Sequence, residues 1–212
     1  EQLRRMAVVI DYQNVHLTAA GVFAPYRPAE ESLISPWNFA RRLAKVKNES
    51  QPNLDPVEVA RVEVYRGLPL EADPNGGYAR NLSQKHAWER EAPGIVFVTL
   101  RPLKYRYELH DGKKVPIWGS AQEKGVDVLC ALALCRLARS GHYDVVVLAS
   151  RDSDLAPALD EAMTYRRARV EAAKWYLEGS KSTYGSIKTE KKIWTTSMTE
   201  KDFQASLDTA NY

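Results

Sequence analysis

Apolar residues along the chain alternate between short unbroken runs and spaced, one-sided patterns. Ala7-Val8-Val9-Ile10, Ile95 to Leu100 and Asp144 to Ala149 are continuous runs of the kind that form strands buried on both faces. Val57 to Arg66 alternates through Val57, Val59, Val62 and Val64, a further strand with a register slip near Arg61, and Ala168 to Lys174 supplies a fifth. Helical spacing falls between these runs. Pro36 to Lys47 has Ser35 to cap it, Pro36 for its first turn, and Phe39, Leu43 and Val46 on one face. Tyr78 to Glu91 reads as a polar helix, and Asp154 to Arg167 as the helix after the most hydrophobic strand. Gly125 to Ser140 is the strongest helix, apolar at Val128, Leu129, Leu132, Leu134 and Leu137 and stopped by Gly141. This order predicts an α/β fold: a three-layer sandwich with a mainly parallel central sheet.

Two stretches depart from the alternation. Residues 101–120 are long, basic and aromatic, with Asp111-Gly112 as a hairpin turn. The tail over 178–212 is polar until Ile193-Trp194 and closes with a short helix near Phe203 and Leu207. No repeat or low-complexity linker divides the chain, so residues 1–212 are expected to form one domain, with its core over about 6–177.

Composition narrows the class. With 212 residues, 44% hydrophobic and 27% charged, the chain is globular rather than disordered. No apolar run approaches the ~20 residues of a membrane span. The opening Glu1-Gln2-Leu3-Arg4-Arg5 has neither an initiator Met nor an apolar signal segment, as a trimmed sequence would. Cys130 and Cys135 lie five apart on one predicted helix, pointing about 140° apart around it, so they read as small core residues in a reducing cytoplasm. The net charge of +3 suits an anionic partner without identifying one.

Acids gather where an open parallel sheet builds its sites, beyond the carboxyl ends of the strands. Asp11 ends the first strand, with Asn14 three residues on. Asp152 and Asp154 follow the strongest strand in Ser150-Arg151-Asp152-Ser153-Asp154, and Asp127 lies in the first turn of the apolar helix. Singly, each has a plain structural reading, as a helix cap or a partner for a helix dipole. A carboxylate leaving a buried strand is harder to explain that way, because burial costs several kcal/mol unless it is paired or metal-bound. Four acids on one rim repel, and a divalent cation relieves that repulsion. His16, His86, His110 and His142 have no zinc-ligand spacing, so an all-oxygen set points to Mg²⁺ or Mn²⁺, and the matching chemistry is phosphodiester hydrolysis.

Three segments carry a family resemblance. Val8-Val9-Ile10-Asp11-Tyr12-Gln13-Asn14-Val15 resembles a strand followed by D-x-x-N. Lys124-Gly125-Val126-Asp127-Val128 resembles K-G-V-D at a helix start, and Ala149-Ser150-Arg151-Asp152-Ser153-Asp154-Leu155 resembles S-G-D-S-D-F. In this order and spacing the chain resembles the NYN family, relatives of PIN-domain nucleases, over roughly residues 6–177. The resemblance implies a PIN-like α/β fold and a metal-dependent ribonuclease. Asp11, Asp127 and Asp152 would be core metal acids and catalytic residues, with Asp154 a more peripheral fourth. Asn14 would orient the first acid or a water, Ser150 would support it, and Lys124 would contact phosphate. One position departs from the family pattern: Arg151 stands where Gly is usual, and would point away, reach a phosphate, or pair with Asp152 and weaken metal binding.

Lys104, Tyr105 and Arg106, with Arg101, Lys113, Lys114, Tyr107 and Trp118, interleave cations and aromatics as single-stranded RNA binding does; a solvated hairpin would carry the same residues. Single-stranded RNA is therefore the expected partner, and a homodimer is expected only by analogy with PIN-like proteins. The competing reading is a catalytically weak or inactive PIN-like module that binds RNA or a partner. An aspartyl phosphatase needs an acid two residues after its nucleophile, where Gln13 stands, and no Gly-rich loop follows the first strand for a dinucleotide.

Overall fold

A computed structural model describes residues 3–212. Six parallel strands make one sheet: β1 (Arg4–Asp11), β2 (Val57–Leu68), β3 (Val96–Pro102), β6 (Val145–Ala149), β7 (Arg169–Trp175) and β8 (Thr195–Met198), in the spatial order β3-β2-β1-β6-β7-β8. Strands β4 (Tyr107–His110) and β5 (Lys113–Pro116) form a separate antiparallel hairpin. Its turn, Asp111 and Gly112, has φ of 49° and 76°, the left-handed pair that a tight two-residue hairpin requires. In β2 the pairing to β1 skips Ala60, so the slip expected near Arg61 is a bulge opposite Met6 and Ala7.

The central strands are buried on both faces because helices cover both. Met6, Val8, Ile10, Val62, Val64 and Val147 pack with Phe39, Leu43 and Trp88 beneath α1 (Tyr12–Phe23), α2 (Pro36–Ser50) and α3 (Gly77–Glu91). Ala7, Val9, Val146 and Leu148 pack with Leu134, Leu137 and Leu159 beneath α4 (Val126–Ser140) and α5 (Ala156–Thr164). Ser35 caps α2, its hydroxyl accepting from the Asn38 amide at 3.2 Å, with Pro36 in the first turn. The result is a three-layer, doubly wound α/β sandwich. Its switch point lies between β1 and β6, where chain direction around the sheet reverses and a crevice opens.

Several elements depart from the pattern. The sheet has a sixth strand, since Thr195–Met198 pairs with Ala172–Trp175, and α6 (Glu200–Ser206) then packs back against α2. The tail over 178–212 therefore adds to the sheet. Residues 12–23, to which the apolar pattern assigns no element, form α1 directly from the end of β1, with Asp11 as both last strand residue and N-cap. The helix expected over Asp154 to Arg167 is shorter: a 3₁₀ turn at Ser153–Leu155 precedes α5, which stops at Thr164 before the left-handed Arg166. On α4 the buried face is Val126, Cys130, Ala133, Leu134, Leu137 and Ala138, while Val128 and Leu132 face outward. No described helix is long and apolar enough to cross a membrane.

Candidate functional site

The crevice at the switch point is an open cleft of about 670 Å³, lined by acids from three segments. Asp11 comes from the end of β1, Asp152 from the loop after β6, and Glu123 and Asp127 flank the start of α4. Gln13, Asn14, Leu17, Thr18 and Lys124 complete its walls. The neighbouring carboxyl ends of β1 and β6 bring Asp11 and Ser150 together, since Ile10 and Ala149 are register partners.

Asp11 is buried, and its carboxylate accepts a 2.9 Å hydrogen bond from the Ser150 hydroxyl. The same hydroxyl accepts the Asp152 amide at 3.1 Å, so one serine holds the acid and the loop that bears the second acid. Burial raises the Asp11 pKa; the bonds from Ser150 and the Asn14 backbone oppose the rise, and the charges of Asp152 and Asp127 add to it. The Asn14 side-chain oxygen accepts the Arg151 amide at 2.9 Å. Asn14 thus staples α1 to the β6 loop through its side chain, in addition to its backbone bond to the first acid.

Glu123 is the acid that the sequence reading missed. Its carboxylate accepts the Gly67 amide at 2.7 Å, a bond that a side chain at Gly67 would obstruct, since a Cβ there would stand 2.9 Å from Glu123 Oε2. Burial raises its pKa, opposed by the Gly67 amide and the charge of Arg66 and reinforced by the charges of Asp11 and Asp127. The Gln13 side-chain nitrogen donates to both Glu123 oxygens, at 3.3 and 3.2 Å. Asp154 is exposed, donates its amide to Asp152 Oδ1 at 2.9 Å, and does not line the cleft.

Gly125, the N-cap of α4, has a φ of 76° and lies against the Arg101 guanidinium, which would be 3.0 Å from a Cβ there. Arg101 donates to the Lys124 carbonyl at 2.7 Å, and Lys104 pairs with Gln122 in an isolated bridge, so the basic 101–106 segment is fastened to the rim of the cleft. Lys104 and Arg106 are exposed. The Tyr105 hydroxyl meets the Leu70 amide and Asp73 at 3.3 Å each, and its ring packs edge-on against Trp118, as a brace does. Arg151 forms no ion pair with Asp152 among the described residues. It borders a neighbouring pocket of about 320 Å³ with Lys174 and Lys188.

The donor set of the cleft is entirely oxygen: carboxylates, with the amides of Gln13 and Asn14 beside them, as Mg²⁺ or Mn²⁺ prefers. Crowding of Asp11 and Glu123, both raised in pKa by burial and by neighbouring acids, suits a cation in the same way. Among the described residues, no three His, Cys, Asp or Glu side chains are already drawn together as a cage.

A doubly wound parallel sheet with acids at its switch point is consistent with a PIN-like α/β domain. The chain belongs to the NYN domain family, whose model matches residues 5–184, and this family is one of PIN-like nucleases. No curated protein matches the chain. It is also similar to the crystal structure of a protein of unknown function from Vibrio parahaemolyticus RIMD 2210633, at 19% identity over 82% of each chain with a TM-score of 0.42.

Proposed function

We propose that this domain is a metal-dependent ribonuclease that hydrolyses phosphodiester bonds of single-stranded RNA in the acidic cleft, with Mg²⁺ or Mn²⁺ as cofactor. The observation that carries the reading is Asp11: a buried carboxylate, joined by Glu123, Asp127 and Asp152, with no cation paired to it among the described residues. Asp11, Asp127, Asp152 and Glu123 are the residues that would hold the ion, with Glu123 replacing Asp154, the peripheral fourth acid that the family resemblance implies. A bound ion there supplies an activated water and neutralises charge on the phosphate oxygens.

The chain's own residues set the geometry. Ser150 fixes the Asp11 carboxylate and the Asp152 backbone, and Asn14 fixes the loop between them. Lys124 lines the cleft as a phosphate contact. Lys104 and Arg106 on one side, and Arg151 on the other, offer cations along the carboxyl edge, where a flexible strand can lie across the acids. A second reading, an RNA-binding module that does not cut, is favoured by one observation: Arg151 stands beside Asp152 where the family pattern has Gly, its amide bound to Asn14.

Labelled single-stranded RNA incubated with Mn²⁺, Mg²⁺ or EDTA, beside Asp11→Asn, separates the two. Cleavage that needs metal and falls roughly 10²- to 10⁴-fold in the variant supports the nuclease. RNA bound but uncut with either metal supports the module.

A further inference from the structure

A second, smaller pocket of about 260 Å³ opens beside the acidic cleft and shares Gln13, Leu17 and Glu123 with it. Its floor is Arg66, near the end of β2. Tyr65 is the register partner of Asp11, so Arg66 stands one residue further along the adjacent strand, in a sheet whose strands lie about 4.8 Å apart. The Arg66 guanidinium lies over the rings of Tyr12 (4.7 Å) and Trp88 (5.5 Å) and donates to Gln84 Oε1 at 2.6 Å. No carboxylate pairs with it among the described residues. A half-buried cation with aromatic rings beneath it and one neutral acceptor has donors to spare, since a guanidinium carries five.

The remaining walls add to this charge. Arg80 and Asn81, in the early turns of α3, line the same pocket. Burial chiefly lowers the Arg66 pKa, Tyr12 and the Glu123 carboxylate oppose that, and the charge of Arg80 adds a smaller lowering. Two guanidinium groups that repel over a shared pocket favour an anion between them, and planar forks match phosphate oxygens. Of the two acids of the lining, Glu30 is exposed; Glu123 lies within reach of the Arg66 charge and offsets part of it, but its carboxylate is held by the Gly67 amide and forms no ion pair with Arg66 among the described residues. Leu33, Pro69 and Leu103 give the pocket apolar sides against which a sugar or base can rest.

We propose that the Arg66–Arg80 pocket is a phosphate-binding subsite, taking a phosphate of the nucleic-acid strand next to the one presented to the acids. The subsite rests on the nuclease reading only for the identity of the strand; the anion site itself rests on the two arginines. A terminal phosphate monoester and an internal phosphodiester share the chemistry, and a subsite beside the cutting position would fix how far from that phosphate the strand is cut.

Titration of metal-free protein with inorganic phosphate and a nucleoside 5′-monophosphate, followed by calorimetry, tests the site without catalysis. Arg80→Gln, at an exposed position, and Arg66→Gln should each weaken binding by about tenfold or more, and Arg66→Lys should restore part of it. Thermal unfolding checks that Arg66→Gln is folded; if it is not, Arg80→Gln decides alone. The same variants are then assayed for cleavage of 5′-phosphorylated, 5′-hydroxyl and circular RNA. Preference for the phosphorylated end, lost in Arg80→Gln, assigns the terminal group; circular RNA cut equally well by wild type, and less well by Arg80→Gln, assigns an internal phosphate. Wild-type phosphate affinity in both folded variants overturns the subsite even if RNA is cut. Phosphate binding that depends on Arg80, in a protein that cuts no RNA, keeps the subsite and overturns the nuclease.

Discussion

Glu63 and Glu171 are buried within the two faces of the sheet, and Asp11 is buried at its carboxyl edge. Glu63 is enclosed by cations and a phenol: Arg61 at 2.5 Å, Arg136 at 2.5 Å and the Tyr65 hydroxyl at 2.7 Å. Although burial pushes its pKa up, these hydrogen bonds hold it below the ordinary glutamate value. Glu171 has Lys47 and Arg169 at 2.8 Å each. Asp11 has a hydroxyl, a backbone amide and other acids, and its pKa goes the opposite way. Where charge serves the fold, the chain supplies the counter-ion itself. Asp11 has no such counter-ion among the described residues, and that contrast singles out the cleft more sharply than burial does.

The largest effect expected from this contrast sets Lys47→Met against Asp11→Asn. Removing Lys47 leaves Glu171 buried with one cation fewer and should cost about 3–5 kcal/mol of stability. Neutralising Asp11 should leave the metal-free fold intact, with an unfolding temperature unchanged or raised, while cleavage collapses. Chemical denaturation of both variants checks this. A destabilised Asp11→Asn with a wild-type Lys47→Met would break the comparison.

Next in size is the choice between Glu123 and Asp154. Glu123→Gln should slow cleavage by about 10- to 100-fold, and Asp154→Asn by less than about threefold, measured as kcat/KM on one RNA. The reverse order would return Asp154 to the role of fourth metal acid that the family resemblance implies. Gly67→Ala perturbs the same carboxylate without changing any charge, because its Cβ would stand 2.9 Å from Glu123 Oε2 and closer still to Leu103 Cδ2, so both side chains would have to move.

A smaller effect is a pH signature. Asp11 and Glu123 have folded pKa values above their ordinary ones, so in the window between the two the folded state binds more protons than the unfolded. Stability of the metal-free protein should therefore fall as pH rises through that window and recover on adding Mg²⁺ or Mn²⁺. Glu63 and Glu89 have lowered pKa values and act with the opposite sign, their contribution being lost as pH falls below the ordinary carboxylate range. Unfolding midpoints across pH, with Asp11→Asn and Glu123→Gln as controls, should flatten only the upper window.

Much of this architecture is legible in the sequence, for a physical reason. β1 and β6 are continuously apolar because helices cover both faces, so they announce a parallel sheet, and Asp11 and Asp152 are visible as acids just after them. The parts that escape are those whose meaning lies in a distant partner. Thr195–Met198 is a short, polar edge strand that has meaning only beside β7. Residues 12–23 become helix with no intervening loop to mark the change. Glu123 resembles any charged residue ahead of a helix until Gly67, 56 positions away, places its carboxylate. Val128 and Leu132 show the opposite failure, apolar residues on the strongest helix that face away from the core.

The smallest effects concern the rim. Changing Lys104 and Arg106 together to Ala should weaken RNA binding by about threefold to tenfold and reduce the salt slope by about one to two, because each exposed cation releases about one counter-ion on meeting phosphate. Tyr105→Leu separates a base platform from a brace. A ring that stacks on a base contributes about 1–3 kcal/mol to binding, so its loss would cost roughly fivefold or more in affinity. A ring engaged edge-on with Trp118, and a hydroxyl held by Leu70 and Asp73, should instead cost about 1 kcal/mol of stability and leave RNA affinity within about twofold. Fluorescence anisotropy at several salt concentrations, paired with a denaturation curve for each variant, reads both quantities. An affinity loss in Tyr105→Leu without a stability loss would move the aromatic residue from the scaffold of the rim to its binding surface.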